Sequence, residues 1–160
     1  MLNNVINISR AKFKDINFYP TRENPQKTTH AFISIYGTEC EELPKPRVNM
    51  PLWHSGIFVQ FDDVDRYFKE QIFNGYKKQS LTPISREQAK EIIEYVNHLQ
   101  ENSQSLKLII HCYAGVSRSA AVGKFINDYY KMRLPQYEKL SLYNKFVYRT
   151  LMDAAINIYY

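Results

Sequence analysis

Residues 106–119 read Leu-Lys-Leu-Ile-Ile-His-Cys-Tyr-Ala-Gly-Val-Ser-Arg-Ser, and no other stretch of the chain constrains its fold as tightly. Leu106 to Ile110 is short, apolar and rich in branched side chains, which suits a buried central strand running parallel to its neighbours. Gly115 tolerates positive φ and lets the backbone curl. After Ser117 the pattern turns helical. Val122, Phe125, Ile126 and Tyr129 fall at i, i+3, i+4 and i+7, which predicts a helix over 118–132. The loop between strand and helix therefore sits where orphan N–H groups and the helix dipole favour an anion.

The residues inside this loop carry chemistry. Cys112 opens it and Arg118 closes it, with five residues between them. A guanidinium at the loop's end offers a planar, bidentate contact to two phosphate oxygens. The same positive surroundings favour the thiolate of Cys112, and a thiolate under an oxyanion cradle is a nucleophile aimed at phosphorus. A lone cysteine behind an apolar strand is usually only a small buried hydrophobe. That reading leaves the conjunction of His111, Cys112, Gly115, Arg118 and Ser119 unexplained. Rival motifs fit worse. Gly115 to Gly123-Lys124 has the wrong spacing for a nucleotide-binding P-loop, with Phe125 where Ser or Thr is required. Gly115 to Ser119 lacks the second glycine of a nucleophile elbow.

At 160 residues with 44% apolar content, the chain is expected to form one domain over 1–160 with a full core. The net charge of +5 suits an anionic substrate. Lys and Arg are spread rather than clustered, so the charge reads as modest steering and nucleic-acid binding as the weaker option. Cys40 and Cys112 form no CxxC and no zinc pattern, and a bridge between them would consume the proposed nucleophile, so a reducing compartment is expected. Cys40 reads as inert rather than as a redox partner. No apolar run approaches membrane-spanning length, and Met1 to Arg10 lacks the features of a signal peptide. The expectation is a cytoplasmic protein with no membrane association and no cofactor or metal.

Elsewhere, His30 to Tyr36 reads as an early strand ended by Gly37, and Ile57 to Phe61 as another buried strand. Glu39 to Pro51 is loop, interrupted by Pro44, Pro46 and Pro51. Residues 62–84 read as a long polar connection with a short helical turn near Val64–Phe73. Ser85-Arg-Glu-Gln88 has the form of a capping box, and Ala89, Ile92, Ile93, Val96 and Leu99 trace one face of a helix over 86–101. His98 falls on its exposed side. Trp53 reads as a core anchor ahead of a site-edge residue. Pro135 breaks the chain before a last helical stretch over about 138–155. The alternation of strands and helices argues α/β, a mostly parallel central sheet flanked by helices.

His111-Cys112-Tyr113-Ala114-Gly115-Val116-Ser117-Arg118-Ser119 resembles the His-Cys-x-x-Gly-x-Ser-Arg-Ser signature of cysteine-based protein phosphatases of the dual-specificity group. Leu142-Tyr143-Asn144-Lys145-Phe146 is similar to that family's Asn-x-x-Phe segment, while the first 50 residues show little to match. The resemblance implies a tyrosine-phosphatase-like fold and a substrate that is a phosphorylated protein or peptide. It implies that Cys112 attacks phosphorus and that Arg118 and the backbone of Tyr113, Ala114, Gly115, Val116 and Ser117 hold the phosphoryl oxygens. Ser119 would stabilise the departing thiolate, and His111 would support the nucleophile without acting as a base. It also implies an aspartate acid on a loop after an earlier strand. Asp63 is the first choice, Asp62 close behind and Asp65 third, with Glu70 the next place to look. The spacing from Asp63 to Cys112 implies an inserted loop around Lys69–Thr82, whose Lys69, Lys77 and Lys78 read as a solvated face ahead of a cleft border. Classical tyrosine-specific domains are much longer, so the resemblance implies a shallower pocket that admits phosphoserine and phosphothreonine beside phosphotyrosine.

Three rivals stay open at this point. They are an RNA 5′-phosphatase of the same fold, a phospholipid phosphatase, and a catalytically silent phosphopeptide-binding module. Uncharged Tyr113, Ala114, Val116 and Ser117 weigh against the lipid reading, and the intact Cys112–Arg118 pair weighs against the silent one.

Overall fold

The computed structural model describes residues 1–18, 29–38, 45–64, 71–74 and 77–157. Four parallel strands form the sheet in the order β1 (Leu2–Ser9), β6 (Leu106–Cys112), β2 (His30–Tyr36), β3 (Ser55–Gln60). The expected parallel α/β architecture is therefore the observed one. β6 is central, hydrogen-bonded to β1 on one side and β2 on the other. Its side chains divide by strand alternation. Leu106, Leu108, Ile110 and Cys112 face the larger core, which also takes in α2 (Arg86–Glu101), α3 (Arg118–Tyr129) and α5 (Lys145–Asn157). Ile109 faces a smaller core on the other side, with Ile8, Phe32, Trp53 and Phe13 of α1 (Arg10–Phe18). Trp53 is thus a packing residue, stacked on Phe13 at 5.4 Å between centroids.

α2 begins as its sequence dictates. The Ser85 hydroxyl accepts the Gln88 N–H, and the Gln88 side chain accepts the Ser85 N–H. Ala89, Ile92, Ile93, Val96 and Leu99 are its buried face, and His98 is exposed.

Four segments depart from the expectation. β1 and α1 went unmatched because β1 is buried on both faces, with Leu2 and Val5 in the larger core and Ile8 in the smaller, so no apolar–polar alternation marks it. In the 62–84 connection, β4 (Gln71–Asn74) pairs antiparallel with β5 (Lys77–Ser80), so 71–73 are strand and not the end of a helical turn. The pair Asn74↔Lys77 leaves two residues between the strands, and Gly75 at the first of them is a hairpin signal. α3 stops at Tyr129, short of residue 132, and Lys131 beyond it has φ 54°, a left-handed C-terminal residue. The last helix, α5, begins at Lys145 rather than near 138, and Pro135, expected to break the chain, instead opens a short helix, α4 (Pro135–Glu138). The side chain of Asn144 caps α5 by accepting the Val147 N–H at 2.9 Å.

Candidate active site

The Cys112–Arg118 loop lies at the carboxyl end of β6 and runs directly into α3. Gly115 has φ +79°, and a Cβ there would stand 2.4 Å from the backbone of Ile8, so no other residue fits. The Cys112 thiol is buried at the loop's floor. Its Sγ accepts the Gly115 N–H at 3.3 Å and lies 3.2 Å from the Ser119 hydroxyl. The second contact brings the Ser119 hydroxyl beside the sulfur.

Three carbonyls of the loop are pinned from outside. Tyr113 C=O accepts the Arg10 N–H at 3.1 Å, Gly115 C=O accepts Asn7 Nδ2 at 2.6 Å, and Ser117 C=O accepts the Asn144 N–H at 3.2 Å. In a trans peptide the carbonyl and the next N–H point to opposite sides. The amides of Ala114, Val116 and Arg118 are thereby turned away from these anchors. Backbone N–H groups at a helix N-terminus are the kind of donor that oxyanion sites use. The side chains of Tyr113, Ala114 and Val116 are exposed around it. Arg118 is buried, and its Nη1 donates to the Phe61 carbonyl at 2.9 Å, tying the loop to the end of β3.

Asp62 and Asp63 follow β3, and the structure separates them. Asp62 is wholly buried. Its carboxylate accepts the Thr38 N–H at 2.9 Å, the Thr38 hydroxyl at 2.6 Å and the Thr82 N–H at 2.6 Å. Those bonds make it a brace between chain segments. Asp63 is exposed and reaches the signature loop, where its Oδ1 accepts the Ser117 hydroxyl and Asn144 Nδ2, each at 2.7 Å. Cys40, Asp65, Lys69 and Glu70 lie outside the described residues, and Lys77 and Lys78 are placed only as backbone of β5.

His111 is buried behind the nucleophile. Its ring stacks on Phe13 at 4.1 Å, and its Nε2 lies 2.7 Å from the Ser34 hydroxyl. Burial pushes the imidazole down to about 4; a backbone hydrogen bond at Cys112 opposes this, and the Arg10 and Arg118 cations add to it. His111 is therefore neutral at neutral pH. Among the described residues no group of His, Cys, Asp and Glu is placed to hold a metal ion, and no helix is long and apolar enough to cross a membrane.

Sequence reasoning missed Asn7, Arg10 and Ser34. Of these only Asn7 left a trace, an amide interrupting an apolar strand, where Asn is disfavoured.

No family model and no curated protein matches this chain. Solved structures do. The human tyrosine phosphatase-like serine/threonine/tyrosine-interacting protein is similar over 94% of this chain and 86% of its own, with 16% identity and TM-score 0.51. Tk-PTP, solved in its active form, is similar over 96% and 92%, with 14% identity and the same TM-score of 0.51. The fold is that of cysteine-based phosphatases.

Proposed function

We propose that this chain is a metal-independent protein phosphatase that hydrolyses phosphotyrosine, phosphoserine and phosphothreonine through a phosphocysteine intermediate. The carrying observation is convergence. The Cys112 thiol and the exposed Asp63 carboxyl, 49 positions apart in sequence, meet on one loop through Ser117. A nucleophile and a separate proton donor around one anion cradle is what phosphoryl transfer to a thiol requires.

In the first step the Cys112 thiolate attacks phosphorus. The S–P bond forms as the P–O bond to the substrate breaks, and Asp63 gives its proton to the leaving oxygen. Two donors hold Asp63 Oδ1, so the proton to be transferred rides on Oδ2. The loop amides and Arg118 stabilise the charge on the equatorial oxygens. In the second step the Asp63 carboxylate takes a proton from water, which attacks phosphorus. The S–P bond breaks, phosphate leaves, and the Ser119 hydroxyl stabilises the returning thiolate. A nucleophile that must stay reduced fits a cytoplasmic setting.

Turnover of para-nitrophenyl phosphate and then of a phosphopeptide panel tests this reading against Cys112→Ser. Wild type should turn over both. Cys112→Ser should lose turnover and keep phosphopeptide binding, and Arg118→Ala should lose both. Substantial activity in purified Cys112→Ser sinks the mechanism. Release of phosphate from triphosphate RNA or phospholipid vesicles alone transfers the activity to another substrate class. Binding without turnover in wild type makes the chain a silent phosphopeptide-binding module.

A further inference from the structure

The Gly115 carbonyl is held by a side chain, and that side chain belongs to the edge strand. Asn7 Nδ2 donates to Gly115 C=O at 2.6 Å, and Asn7 Oδ1 accepts the Tyr137 hydroxyl at 2.9 Å. Tyr137 is fully buried in α4. It lies against α3, where a Cβ on Gly123 would come within 2.4 Å of its hydroxyl. The amide of Asn7 is thus oriented. The Gly115 carbonyl can only accept, so Asn7 must present its NH2 to Gly115, which leaves its oxygen to accept the Tyr137 hydroxyl. The Gly115–Val116 peptide is held in turn, and a trans peptide whose carbonyl is fixed toward Asn7 sends the Val116 N–H to the opposite side.

We infer that Asn7 is a positioning residue that sets the Val116 amide as an oxyanion donor for the phosphoryl group. Without it the Gly115 carbonyl loses its anchor, at a glycine whose φ of +79° leaves the peptide free to turn over. A turned peptide would point a carbonyl dipole at the phosphoryl oxygens in place of an N–H. The sequence could not show this, because Asn7 and Tyr137 lie 130 positions apart and meet only across the β1–α4 junction.

The inference rests on the phosphatase reading, and the test separates the two. Wild type, Asn7→Ala and Tyr137→Phe are compared for thermal midpoint without ligand, inhibition by vanadate, and kcat and KM on para-nitrophenyl phosphate. All assays run below the lowest midpoint. Losing one oxyanion donor costs about a hundred- to a thousandfold in kcat, and a donor left mobile should cost about ten- to a hundredfold. Asn7→Ala should lose vanadate affinity and kcat by that factor with KM nearly unchanged, the pattern of an interaction made in the transition state. Tyr137→Phe keeps the Asn7–Gly115 bond. It should lower the midpoint at least as much and lose less than a third as much, on a logarithmic scale, in vanadate affinity. If Asn7→Ala does not fold, Asn7→Ser, which also cannot reach Gly115, is read in the same way. Vanadate affinity and kcat in the Asn7 variant within twofold of Tyr137→Phe would overturn the inference, since Asn7 would then act only as a partner for Tyr137. A wild type that neither binds vanadate nor turns over substrate defeats the phosphatase reading itself.

Discussion

Neighbouring aspartates with opposite duties make a sharp test at positions 62 and 63. Replace each by Asn in turn. In Asp62→Asn the amide must set its NH2 where one carboxylate oxygen stood. If that is Oδ2, it faces the Thr82 N–H, and if Oδ1, the Thr38 N–H. Either way two donors oppose each other in a site with no solvent exposure. An unsatisfied buried donor together with the loss of charge-assisted bonds costs about 2–4 kcal/mol. For a chain of this size that lowers the melting midpoint by about 5–15 °C. Chemistry on the surviving folded protein should be little changed. In Asp63→Asn the side chain keeps an oxygen for Ser117 and Asn144, so the anchor persists and only the transferable proton is lost. The midpoint should stay within about 2 °C, as at most surface sites. Turnover of a phosphoserine peptide, with its poor alkoxide leaving group, should fall about a hundred- to ten-thousandfold, and para-nitrophenyl phosphate should be far less affected. Differential scanning fluorimetry and phosphate release from both substrates read the whole square. An Asp62→Asn protein that melts with wild type, or an Asp63→Asn protein at full rate on phosphoserine, would refute the division of roles.

His111 predicts an acid-labile fold. Its imidazole titrates near 4 when folded and near 6.5 when unfolded, so its contribution to stability is complete above pH 6.5 and is lost as pH falls toward 4. That interval is worth about 3 kcal/mol by linkage; urea titrations from pH 7 to 4.5 should show the slope, and His111→Gln should flatten it. Gly115→Ala should abolish vanadate binding even where the protein folds, because the new Cβ meets Ile8 and Ser9 backbone at 2.4–2.5 Å. Asn144→Ala removes both the α5 cap and an Asp63 anchor, and it should cost about 1 kcal/mol in stability together with turnover of poor leaving groups. Peroxide should inactivate the enzyme reversibly at first through Cys112, while EDTA should leave turnover unchanged.

The signature loop was legible because strand, glycine turn and helix each announce themselves in consecutive residues, and their junction fixes where Cys112 and Arg118 must stand. β2 and α2 were legible for the same reason, a clean apolar run and a capping box. Other features are set by partners distant in sequence. Asp62 and Asp63 are chemically equal on paper, and only Thr38, Thr82, Ser117 and Asn144, supplied by four other segments, tell them apart. β1 was hidden by its burial on both faces, and the late start of α5 by apolar residues that run on from α4.

Asp62 and Thr82 clasp each other twice, backbone to backbone at 2.7 Å and side chain to backbone at 2.6 Å. The polypeptide that departs after Asp62 thus comes home to the same point, with the β4–β5 hairpin as an appendage on a closed ring. Because closure entropy grows only slowly with length, such a ring can be enlarged, trimmed or exchanged at small thermodynamic cost. That makes the appendage the natural place for lineages to diversify and for engineers to graft a foreign recognition element. Asp63, one residue past the clasp, keeps its Ser117 and Asn144 anchors while the neighbouring cassette is swapped.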